Sequence, residues 1–126
     1  YFKSGWSDPE ADVIWSIGKK ASMLFPLDES LRGSDISVSM MAMPFIGGTV
    51  KSQPVTITVN GKEVGKMDMT KGEVYNFTVS KDLSNSGTLN VEVAIPNAAV
   101  PAKLGVNSDI RELGICIGSI TFKKLN

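Results

Sequence analysis

A chain of 126 residues that is 42% hydrophobic and 21% charged is sized for one folded domain with a core of its own. Thirteen basic residues balance thirteen acidic ones, and the pairs Lys19-Lys20 and Lys123-Lys124 are too short for a phosphate-tracking stripe, which argues against nucleic acid as a partner. There is no histidine, and the single cysteine, Cys116, lies between Ile115 and Ile117, so an internal disulfide is excluded and Cys116 reads as a small apolar strand residue in preference to a nucleophile.

No apolar run approaches the roughly 20 residues that span a bilayer. The richest, Met40-Met41-Ala42-Met43-Pro44-Phe45-Ile46, is short and broken by proline. The chain starts at Tyr1 without an initiator methionine and shows no signal peptide, which reads as a single domain, 1–126, excised from a larger parent.

Period-2 alternation dominates. Val13, Trp15 and Ile17 are expected on the inner face of a first strand. Gly18-Lys19-Lys20 then turns into Ala21, Met23 and Phe25, with Lys20 and Ser22 outward. Residues 27–35 suit a loop, and Ile36, Val38 and Met40 an inward row. Val55, Ile57 and Val59 alternate with threonines up to Asn60-Gly61, the pair a tight type I′ turn requires. The return strand places Met67 and Met69 on one face, and Thr70-Lys71-Gly72 turns again into Tyr75, Phe77 and Val79. After a polar loop with one helical turn at Lys81-Asp82-Leu83, the residues Leu89, Val91, Val93 and Ile95 alternate with a wet face of Asn90, Glu92 and Ala94. Residues 96–113 are irregular, with Pro96, Pro101 and Gly105. Ile115, Ile117, Ile120 and Phe122 close the chain, and Gly118-Ser119 shifts the alternation as a β-bulge would. About eight strands and no sustained 3.6-residue period predict an all-β, antiparallel β-sandwich, jelly-roll-like.

Three features could carry chemistry. Asp8, Glu10 and Asp12 offer hard oxygen ligands for calcium, although Pro9 interrupts them and no EF-hand glycine is present. The plainer reading is an exposed polar turn. Arg111 has the planar fork that pairs with carboxylates, so a Glu10–Arg111 pair is expected to pin the N-terminal turn to the late loop. Sugars present an apolar face edged by hydroxyls. The rings Trp6, Trp15, Tyr75 and Phe45 and the amides Gln53, Asn97 and Asn107 are available to them. Trp15 reads as core, and Trp6, although core is the plainer reading for it too, is the better candidate for partial exposure, so the candidate ligand-binding set is Trp6, Glu10, Asn107, Asp109 and Arg111. Asn76-Phe77-Thr78 matches a glycosylation acceptor but falls inside a strand, the methionines read as core filler, and no phosphate-loop pattern exists.

One ordered pattern runs nearly the whole length: Gly5-Trp6-Ser7-x-Pro9-Glu10, Trp15-Ser16 with Gly18 and Ala21, Val59-Asn60-Gly61, Pro101-x-x-Leu104-Gly105, and Asp109-x-Arg111-x-Leu113-Gly114-Ile115. It resembles the β-sandwich domain appended to bacterial membrane-bound glycosyltransferases and phosphoglycerol transferases that decorate envelope glycans. The resemblance implies a non-catalytic accessory domain on the periplasmic or extracytoplasmic side, with a membrane-anchored parent. Its partners would be the envelope glycan or the parent's catalytic domain. The alternatives are a carbohydrate-binding module with a defined sugar site and a small carboxylate-dependent glycan hydrolase.

Overall fold

The computed structural model describes residues 1–125, which form two packed antiparallel sheets of four strands each. In chain order the strands are β1 (Ile14–Ile17), β2 (Lys20–Pro26), β3 (Ile36–Pro44), β4 (Gln53–Val59), β5 (Lys62–Met69), β6 (Glu73–Val79), β7 (Thr88–Ala94) and β8 (Leu113–Lys124). One sheet runs β1-β8-β3-β6 and the other β2-β7-β4-β5. The chain crosses repeatedly between sheets, and this strand order is that of a jelly roll. A single helical turn, α1 (Lys81–Ser84), precedes β7 where the sequence places it.

Local chemistry accounts for most of these elements. Asn60 and Gly61 adopt φ of 49° and 84°, the paired positive values that let β4 return directly as β5. On β8, Met41 lies opposite Ser119 and Ala42 opposite Ile117, so Gly118 is the extra residue of a bulge. The inward rows Ala21-Met23-Phe25, Ile36-Val38-Met40, Val55-Ile57-Val59 and Leu89-Val91-Val93-Ile95 are all buried and form the core.

β1 departs from the alternation read off the sequence. Its inward residues are Ile14 and Ser16, while Trp15 and Ile17 are only half-buried on the opposite face, Trp15 facing Cys116. The inversion has a hydrogen-bonding cause. Ser16 is 0% exposed, and its Oγ accepts a hydrogen bond of 2.9 Å from the backbone amide of Ile115. Gly114 leaves room for it, since a Cβ there would stand 2.8 Å from Ser16 Oγ and from Ile95 Cγ2. Satisfying a buried amide outweighs placing one indole in the core.

The N-terminal segment serves both sheets. Residues 1–4 pair along β2, with Lys3 N donating to Ser22 O and Leu24 N to Tyr1 O, while Ile17 N to Gly5 O and Ser7 N to Trp15 O bind the next residues to β1. Gly5, at φ 83°, is the corner where the chain passes between sheets, close over the carbonyl of Lys20. The segment therefore covers the β1 and β2 edges of the sandwich.

Candidate functional site

The late loop is held in place by charges. Arg111 Nη2 lies 2.7 Å from Asp109 Oδ2 and its Nε 3.0 Å from Oδ1, a bidentate pair, while Nη1 reaches Glu10 Oε1 at 3.1 Å. The pair expected between the N-terminal turn and the late loop thus forms. Hydrogen bonds from the Arg111 side chain and backbone pull the Asp109 carboxyl down from 3.8 to about 2. Its bonds to Asp109 and Glu10 in turn push the Arg111 guanidinium up. Asn107 belongs to the same turn, its Oδ1 accepting from Asp109 N at 2.8 Å.

The remaining residues of the candidate binding and calcium sets do not join this cluster as a site. Trp6 is half-buried against the core, its Nε1 donating to Ser22 O at 2.8 Å and its ring meeting Phe2 edge-on at 4.9 Å. Asp8, Glu10 and Asp12 do not converge. Glu10 and Val13 exchange backbone hydrogen bonds around Ala11 at φ 53°, a tight turn. Among the described residues no three Asp, Glu, His or Cys side chains are grouped to hold a metal ion. Arg111 takes the Glu10 carboxylate that a calcium site would need. Cys116 is 4% exposed, and burial pushes its thiol up, away from the reactive thiolate.

The open outer face of the β2-β7-β4-β5 sheet carries a feature that no motif in the sequence marks. A trough of about 430 Å³ is lined there by Ser4, Lys20, Ser22, Thr58, Glu92 and Ala94. These are the outward residues of three neighbouring strands, joined by Ser4 from the N-terminal segment. Ser22 lies opposite Glu92, and Glu92 opposite Thr58. Ser4 Oγ and Ser22 Oγ are 2.8 Å apart. Among the described residues Lys20 and Glu92 enter no ion pair, although they sit on adjacent strands one step apart in register. The trough therefore offers three hydroxyls, one ammonium and one carboxylate, with the charged groups uncommitted. The one signal the sequence holds for it is that Lys20, Ser22 and Glu92 point outward in their alternating strands.

No family model and no curated protein matches the sequence. Among solved structures the chain is similar to a CBM4 carbohydrate-binding module, with a TM-score of 0.55 at 11% identity, covering 95% of this chain and 77% of that one. It is also similar to the EclA C-terminal domain, a sugar-binding protein, with a TM-score of 0.50 at 12% identity and 85% of this chain covered. The chain spans 66% of the length of that structure. A third, more distant structure is a CBM36 module in complex with calcium and xylotriose, at a TM-score of 0.46. At such identities the likeness establishes the fold, a jelly-roll β-sandwich shared with carbohydrate-binding modules.

Proposed function

We propose that this domain is a non-catalytic carbohydrate-binding module and that its glycan lies in the trough across β2, β7 and β4. The observation that carries the reading is the set of uncommitted polar groups there, Lys20 and Glu92 beside Ser4, Ser22 and Thr58. A carboxylate accepts hydrogen bonds from neighbouring hydroxyls, and serine and threonine hydroxyls both donate and accept, which matches the alternating donors and acceptors of a sugar edge. The fold likeness to sugar-binding domains supports the same reading. Glycosidic hydrolysis by paired acids needs two facing carboxyls. Among the described residues Glu92 is the one acid lining the trough, while Glu10 and Asp109 are bound to Arg111.

Attachment to an envelope transferase, with its extracytoplasmic setting and membrane-anchored parent, rests on the sequence resemblance alone. In that setting the module would hold the parent's glycan near the catalytic domain.

Glycan-array binding followed by calorimetry on the best ligand tests the reading. Glu92→Ala is expected to remove binding without lowering thermal stability, because Glu92 is exposed and unpaired among the described residues. Arg111→Ala should lower stability and leave affinity in place. Binding lost in Arg111→Ala and kept in Glu92→Ala would move the site to the late loop and refute the proposal.

A further inference from the structure

We infer, building on the glycan-binding reading, that the trough selects acidic glycans, with Lys20 holding the anionic substituent and Glu92 accepting hydroxyls of the same or the adjoining sugar.

Three observations lead there. First, among the described residues no aromatic ring lines the trough. A second depression of about 350 Å³ on the same face, lined by Pro54, Thr56, Lys66, Met67 and Asp68 among others, also lacks one. Stacking a sugar's apolar face on a ring is therefore not available, and affinity must come from hydrogen bonds and charge. Second, the two depressions join through one cross-strand row. Lys20 lies opposite Ala94, Ala94 opposite Thr56, and Thr56 opposite Lys66. Three strand spacings separate the two lysines at the backbone by roughly 14 Å, with only alanine and threonine between them. The row is a low floor with a cation at each end.

Third, both cations are available. Lys20 has no ion-pair partner among the described residues, and the Lys66–Glu63 contact is 3.9 Å between side chains 70% and 53% exposed, a pair a ligand displaces at little cost. Glu92 would repel an anion placed directly over it. The anionic group therefore belongs at Lys20, one step along the strands, with the hydroxyl-bearing edge over Glu92. Ser22 and Ser4, already hydrogen-bonded to each other, line the N-terminal side.

The test compares short oligogalacturonate with its methyl ester, which keeps the backbone and removes the charge, by calorimetry on the intact domain. Sulfated and phosphorylated oligosaccharides form a second arm. The acid should bind about tenfold more tightly than the ester, as a charge-assisted hydrogen bond exceeds a neutral one. That advantage should shrink with added salt. Lys20→Gln should abolish the acid-over-ester preference with the melting temperature unchanged, and Lys66→Gln should reduce it partly. A sulfated or phosphorylated ligand that binds more tightly still, and loses that advantage in Lys20→Gln, supports the anion site and identifies the substituent. Equal affinity for acid and ester, or a preference that survives Lys20→Gln, overturns the inference and leaves glycan binding standing. Failure of acidic and neutral glycans alike overturns both.

Discussion

Replacing Gly5 by alanine tests how the N-terminal segment joins the two sheets. An alanine at φ 83° costs about 1–2 kcal/mol by steric crowding alone. The new methyl would also overlap the backbone carbonyl of Lys20 and come within 2.8 Å of the Ala21 Cα, and backbone atoms cannot move aside by changing rotamer. Forced overpacking of this kind adds about 1–3 kcal/mol. The sum is roughly 3 kcal/mol, a large share of the 5–15 kcal/mol a domain typically possesses. Gly18→Ala is the internal control. Its φ is 89°, yet nothing lies within 4 Å of the position a Cβ would take, so it carries the conformational cost without the clash.

Urea unfolding followed by circular dichroism and tryptophan fluorescence separates the two. Gly5→Ala should lose about 3 kcal/mol and Gly18→Ala about half of that or less. Gly5→Ala should also shift the Trp6 emission, because the indole's hydrogen bond to Ser22 O runs between the segment and β2. It should weaken glycan binding as well, since Ser4 is the segment's contribution to the trough. If Gly5→Ala is no less stable than Gly18→Ala, the close crossing over Lys20 is not a constraint and the segment does not fasten the two edges there.

Ser16→Ala should cost about 1–3 kcal/mol, because the Ile115 amide would be left buried without its acceptor. An unchanged denaturation midpoint would contradict that assignment. The Asp109–Arg111 pair has a pH signature. The folded-state pKa of Asp109 is depressed from 3.8 to about 2, so its stabilisation is present above pH 3.8 and is lost as pH falls towards about 2. The difference in melting temperature between the wild type and Asp109→Asn should therefore hold steady near neutral pH and close across that acid window. A gap that persists at the acid end would show that the pair contributes through packing instead of charge.

Where local pattern and hydrogen bonding agree, the fold is legible in the sequence. Along β7 and into the residue that follows it, every second residue from Leu89 to Ile95 is apolar and buried, and Glu92 faces out as its neighbours require. Asn60-Gly61 and Gly118 announce a turn and a bulge through glycine chemistry, and both are present. In β1 the pattern misleads, because alternation alone ranks an indole above a serine as a core residue. It cannot see that an amide some hundred residues away needs Ser16 as acceptor. The late loop is irregular in sequence because its order comes from a bond across the loop itself and from packing on a distant part of the chain. Ala102 N bonds to Asp109 O, and the Val106 and Leu104 side chains pack against Gly47 and Gly48. The trough is not legible as a site, since Ser4, Ser22, Thr58 and Glu92 are scattered along the chain and meet only through register.

Lys19 and Lys20 show how such a site is distinguished from structure. The two are adjacent in sequence and chemically alike, yet the chain assigns them opposite roles. Lys19 Nζ donates to the carbonyls of Pro96 and Ala98, each at 3.0 Å, and stands 3.9 Å from Glu112, so its charge is used in tying the late loop to the start of β2. Lys20, the first residue of β2, emerges on the outer face beside Glu92 with no such partners among the described residues. The same division separates Arg111 from Glu92. A group whose hydrogen-bonding capacity is already filled by protein must break those bonds before it can serve a ligand, whereas one held in water by a rigid strand loses only hydration. By that criterion the residues of most conspicuous chemistry, Glu10, Asp109 and Arg111, brace the loop. On the proposed glycan-binding reading, binding falls to the plainer outward positions of β2, β4 and β7.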